Sequence, residues 1–155
     1  RACDAVIVMP HSGQLSAHPD FAASLRGRLA RMAAAGRRVA LKYHPRETTA
    51  DPCGLMQAGA AMLLPPLLPM ELMLPLLSRG ALLMGEITTA LLAAHWLRPD
   101  LEVRCMGLAR GGYAERARAL FQCVGIADDQ DEDEGEGEGE DALPGIRAQR
   151  TNTRA

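Results

Sequence analysis

Short, continuously apolar runs alternate along the chain with segments in which apolar residues recur every three or four positions. Residues 4–10, Asp-Ala-Val-Ile-Val-Met-Pro, are a β-branched run closed by proline and predict a buried strand. His11-Ser12-Gly13 follow as a loop whose backbone can approach a ligand. From about residue 19 to 35, Phe21, Leu25, Leu29 and Met32 form one stripe, Arg26, Arg28 and Arg31 fill other faces, and Gly36 supplies a stop. That pattern predicts an amphipathic helix. Residues 38–43 predict a second strand, and 48–59, with Pro52, Gly54 and Gly59, a loop or short helix. Residues 61–64 predict a third strand, ended by Pro65-Pro66. Pro69-Met70-Glu71-Leu72 opens a helix expected to run to about Ser78, with proline where its missing donor does no harm. A strand over 81–84, a helix over 87–97, a strand over 101–106 and a helix over 113–124 complete the series.

Strands alternating with helices, the strands apolar throughout, predict an α/β fold. Its form is a Rossmann-like parallel sheet with helices on both faces. At Asp128 the pattern changes: Asp, Glu and Gly repeats can bury nothing, so 1–127 reads as one domain and 128–155 as an acidic, low-complexity, disordered tail.

Composition sharpens this picture. The 155 residues are 48% hydrophobic but 3% aromatic, so Leu, Ala, Met and Val must build the core. The net charge of −2 hides a segregation: residues 128–141 carry 10 of the 19 acids, leaving 9 acids against 14 Lys and Arg in 1–127. A mildly basic body suits an anionic ligand, although exposed Arg on helices is the commoner explanation. The four cysteines show neither zinc spacing nor a disulfide framework, which fits a reducing cytosol. The apolar run from 55 to 77 has the length of a membrane span, but Pro65, Pro66, Pro69, Pro75 and Glu71 argue against one. Asp131-Glu132-Asp133 has the form of a metal-binding Asp-x-Asp, but inside an acidic run it is assigned no role. Basic-aromatic patterning is absent, which argues against nucleic acid.

Chemistry concentrates in two turns. Lys42-Tyr43-His44-Pro45-Arg46-Glu47 stands where the second strand ends, the position at which open α/β sheets place ligands. His44, with Lys42 and Arg46 nearby, can donate to a phosphate and transfer a proton, and Pro45 holds it out of helical geometry. Thr88-Thr89 opens a helix, where backbone donors, dipole and hydroxyls favour an anion. Glu71, in a first turn, can accept both hydroxyls of a ribose. Each has a structural alternative: a capped turn histidine, an ordinary threonine N-cap, a carboxylate that complements a helix dipole.

Together, Lys42-Tyr43-His44-Pro45, Pro69-Met70-Glu71 and Thr88-Thr89-Ala90-Leu91-Leu92, separated by 27 residues from His44 to Glu71 and 17 from Glu71 to Thr88, resemble a known arrangement. They are similar to the C-terminal donor-binding half of bacterial sialyltransferases and polysialyltransferases of the two-Rossmann-domain, GT-B type. The resemblance spans about residues 4–124. It implies CMP-sialic acid as donor substrate, metal-independent chemistry with no cofactor, and a glycan acceptor such as lipooligosaccharide or capsule polysaccharide. It also implies that His44 contacts the departing phosphate, Thr88 and Thr89 hold its oxygens, and Glu71 holds the ribose, with Lys42, Pro45 and Arg46 completing the site. The expected location is the cytoplasm, with peripheral association at the inner membrane. Two departures stand out: the family usually has Ser at one or both hydroxyl positions, and its general base belongs to an N-terminal acceptor domain not found in this stretch, which alone is expected to be inactive. The alternatives are half of another nucleotide-sugar glycosyltransferase or epimerase, and a degenerate Rossmann domain serving as an interaction module.

Overall fold

The computed structural model describes residues 3–107 and 111–129. Six strands, β1 (Ala5–Val8), β2 (Val39–Lys42), β3 (Met62–Leu63), β4 (Leu82–Gly85), β5 (Glu102–Cys105) and β6 (Ala127–Asp128), form one sheet. All pairs are parallel, in the order β3-β2-β1-β4-β5-β6. This is the Rossmann strand order. The helices are α1 (Ser12–Ser16), α2 (Pro19–Ala34), α3 (Met70–Met73), α4 (Thr89–Leu97) and α5 (Gly112–Cys123). The expected architecture is therefore the one observed.

Strand alternation divides the core into two layers. Ala5, Ile7, Val39, Leu41, Leu82 and Met84 face Leu25, Leu29 and Met32 of α2. Val6, Ala40, Leu83, Val103 and Cys105 face the side of α3, α4 and α5 through Met73, Leu91, Ala94 and Phe121. Leu29, Leu41, Leu83 and Leu91 are fully buried, and each such side chain stabilises by about 1.5–3 kcal/mol relative to exposure. Helix α2 ends as its glycine predicts. Gly36 takes φ +74°, Gly36 N–H donates to Ala33 O, and Arg37 N–H donates to Met32 O, a paired closure that satisfies the last carbonyls.

Several elements differ from the sequence pattern. His11-Ser12-Gly13 is not a plain loop, because His11 caps α1 and accepts from Gly13 N–H. The helix expected from Pro69 to Ser78 keeps α-geometry only over α3 and tightens to a 3₁₀ turn over Leu74–Leu76. Pro75 has no N–H to donate to Glu71 O, so the α-ladder stops there. Strand β6 is a sixth strand that the pattern does not announce, and it runs into the stretch read as tail. Two residues beside an edge carry no periodicity. Asp129 also pairs with Arg28 of α2. The remaining acidic residues, including Asp131-Glu132-Asp133, lie outside the described residues. No helix of the described residues is long and apolar enough to cross a membrane, the 55–77 run being divided among turns, β3, α3 and the 3₁₀ turn.

Candidate functional site

In the ladder Val8 stands opposite both Lys42 and Gly85, so β1, β2 and β4 end level with one another. The strand order reverses between β1 and β4, and the crevice beyond strand ends at such a reversal is where open α/β sheets bind ligands. A cleft of about 600 Å³ lies there. Gly85 lets the strands approach: a Cβ on it would stand 3.0 Å from both Val8 Cβ and Val8 O.

This cleft gathers Lys42, His44, Pro45, Glu71, Thr88 and Thr89, residues up to 47 positions apart in sequence. Arg46 is exposed and is not among the lining residues; its contribution is its backbone N–H, which donates to His44 Nδ1 at 3.2 Å. An imidazole nitrogen that accepts carries no proton, so the neutral His44 ring bears its proton on Nε2.

Alternation separates Lys42 from Tyr43 at the end of β2. Lys42 is buried, and its Nζ donates to Pro66 O at 2.9 Å and to Pro65 O at 3.4 Å. Burial pulls its ammonium below the usual lysine value, opposed by the nearby Glu71 carboxylate. Lys42 thus anchors the 65–66 turn that forms one wall. Tyr43 points to the α2 side, where its Oη donates to Asp51. Burial, then that carboxylate, push the phenol far above its usual range. Asp51 in turn accepts from Leu55 N–H (3.0 Å) and Met56 N–H (2.9 Å). Burial raises its carboxyl, but these bonds and Tyr43 outweigh it and hold the group below the ordinary carboxylate range. His44 follows Tyr43 beyond the strand end and, like Lys42, lines the cleft.

Across the cleft, Thr88 is the N-cap of α4, its Oγ1 accepting from Ala90 N–H at 3.4 Å. The Leu91 N–H is used by Thr88 O. Thr89 is exposed in the first turn. Both structural and ligand readings of this pair are physically compatible: Thr88 caps the helix while Thr89 faces the cleft. Glu86 lines the cleft, is buried, and accepts from Ile87 N–H at 3.2 Å. Glu71, exposed on α3, adds a second carboxylate. The site is thus mixed in charge rather than a purely basic pocket.

Sequence reasoning passed over Gln14 of α1 and Tyr113 of α5, both of which line the cleft. Tyr113 is 77% exposed, a large aromatic face at the mouth. Its signal was present: Gly111-Gly112-Tyr113 opens the helix that follows β5, on the same edge of the sheet. Among the described residues no group of three or more His, Cys, Asp or Glu could hold a metal ion. Searches of protein-family models, of curated proteins and of solved structures for relatives of this chain each give no match.

Proposed function

We propose that this chain is the donor-binding part of a glycosyltransferase that takes sialic acid from CMP-sialic acid to a glycan. The observation that carries the reading is the cleft at the strand-order reversal, where His44, Glu71 and Thr88-Thr89 converge from three separate turns. In this reading the phosphate lies between His44 and the start of α4. Breaking the bond from the anomeric carbon to the phosphate oxygen leaves the electron pair on CMP, and the acceptor hydroxyl forms the new bond to that carbon. The hydroxyl's proton goes to a base supplied from outside this stretch. Donors aimed at the departing phosphate stabilise the charge that grows there: the Nε2–H of His44, the Thr88 and Thr89 hydroxyls, and the Thr89 N–H at the start of α4. Glu71 accepts from the ribose hydroxyls, and Tyr113 offers a face for the base. A cytoplasmic site, peripheral at the inner membrane, follows from the same reading.

The second reading, a degenerate Rossmann module, draws on Lys42 being committed to two backbone carbonyls and on Arg46 lying outside the cleft. A titration of the protein with CMP, followed by amide shifts and set beside UMP and His44→Ala, decides between them. Saturable CMP binding, weaker for UMP and about 10- to 100-fold weaker in the variant, is expected from losing a hydrogen bond to a charged group, worth about 1.5–3 kcal/mol. CMP and UMP binding alike would favour another nucleotide sugar; no shifts at millimolar CMP would favour the module.

A further inference from the structure

His44 has a second imidazole against it. His11, the N-cap of α1, sets its ring edge-to-face on His44, with centroids 5.6 Å apart and planes at 84°. The two rings are held in the same way. Nδ1 of His11 accepts from Gly13 N–H at 3.1 Å, and Nδ1 of His44 accepts from Arg46 N–H at 3.2 Å. Each is the amide two residues further on, so each neutral ring carries its proton on Nε2. The Nε2 of His11 lies 3.8 Å from Glu47 Oε1. The Glu47 side chain, 7% exposed, accepts from Ser12 N–H, and its backbone N–H donates to His44 O at 3.0 Å. The Ser12 bond, opposed by burial and aided by the nearby imidazoles, keeps the Glu47 carboxyl below its usual range. Glu47 therefore ties the turn that carries His11 to the turn that carries His44. Only His44 of the two rings lines the cleft.

We propose that His11 is a positioning residue for His44, and that with Glu47 it forms a brace that fixes the plane of the His44 ring and presents its Nε2–H to the cleft. This rests on the reading of the cleft as an anion site. A ring held at Nδ1 alone can still swing about its χ2 torsion, which is broad for histidine. The edge contact from His11 closes that freedom, and the backbone bonds on both rings make the arrangement depend on neither ring being protonated at Nδ1.

The test uses His11→Asn, since asparagine is a good N-cap acceptor and keeps a partner for Gly13 N–H while removing the ring. Long-range ¹H–¹⁵N spectra of the ligand-free protein read the two His44 nitrogens, and a titration with inorganic phosphate reads the Thr89 and Ala90 amides. In the unsubstituted protein the His44 nitrogens are expected to be widely separated, as in a single Nε2–H tautomer. In His11→Asn they should move towards each other, and phosphate should bind about three- to tenfold more weakly, the loss expected when one hydrogen bond to a charged group is misaligned but not removed. His11→Phe restores a ring edge but not the cap, so its His44 signature should lie nearer to that of the unsubstituted protein than that of His11→Asn. Unchanged His44 nitrogens in a folded His11→Asn would overturn the proposal. So would a His11→Phe signature no nearer to the unsubstituted protein, which would mean that His11 serves only as a cap. The outcomes also separate the two proposals: CMP binding with unmoved His44 nitrogens sinks the brace alone, and displaced nitrogens without CMP binding sink the nucleotide reading alone.

Discussion

Tyr43 shows how one side chain at the end of β2 fixes the loop that follows it. Its hydroxyl donates to Asp51, which also gathers the Leu55 and Met56 amides. Tyr43→Phe leaves a partly buried carboxylate short of one donor and is expected to cost about 1.5–3 kcal/mol in urea unfolding. Because folding depresses the Asp51 carboxyl, its contribution is present above the unfolded carboxyl value, near about 3.9, and is lost as pH falls through the lower folded value. The Tyr43 phenol is raised on folding, so its contribution is present below the unfolded value, near about 10, and declines as pH rises beyond it. Tyr43→Phe should therefore flatten the stability profile at both extremes; a parallel downward shift at every pH would contradict the assignment. Thr88 carries a second test at this scale. Thr88→Val removes the acceptor for Ala90 N–H and should lose about 1 kcal/mol, whereas Thr88→Ser should keep the cap. A helix that melts identically in both variants would mean that the hydroxyl does not cap α4.

At the scale of elements, the cleft depends on strands that end together and on a short helix that stays where it is put. Gly85→Ala sets a methyl 3.0 Å from Val8 Cβ and Val8 O. Backbone oxygen cannot turn aside, so β1 and β4 must part, at about 1–3 kcal/mol. Thermal unfolding should show the loss, and the amides of Val8 and Thr89 should shift with it. Helix α3 and its 3₁₀ turn are held from outside, by Arg98 after α4. That guanidinium grips Asp100 at 2.8 Å through two nitrogens and donates to the carbonyls of Leu74 and Leu77. Removing it in Arg98→Met leaves those end carbonyls without their donor. Hydrogen exchange of the Met73 and Leu74 amides should then accelerate well ahead of that in β4; equal acceleration in both would show that Arg98 supports the whole sheet instead.

For the molecule as a whole, the two apolar layers share one sheet, so neither can be lost alone. Leu41 lies in the layer under α2 and Leu83 in the layer under α3 and α4, both at 0% exposure. Leu41→Ala and Leu83→Ala should each cost about 2–5 kcal/mol. Both should lower a single transition, seen alike by far-ultraviolet circular dichroism and by tyrosine fluorescence. Two separated transitions in either variant would show that the layers unfold independently.

Periodicity and punctuation by themselves determined the α/β class, five of the six strands and the helices α2, α4 and α5, because continuous apolar runs, the Leu25-Leu29-Met32 stripe and Gly36 are local signals that local physics obeys. They also marked His44, Thr88 and Thr89 as residues able to act on an anion and Glu71 as an acceptor for hydroxyls, since residue type at a strand or helix end limits what a side chain can do. Only the tertiary structure decided which of these meet. Parallel register levels Val8, Lys42 and Gly85 and opens the cleft at the strand-order reversal, alternation along β2 turns Lys42 to the Pro65 and Pro66 carbonyls, His44 beyond the strand end lines the cleft, and folding brings His11, 33 positions away, against its ring. Such pairings belong to the packing of distant segments, which no local pattern in the chain encodes.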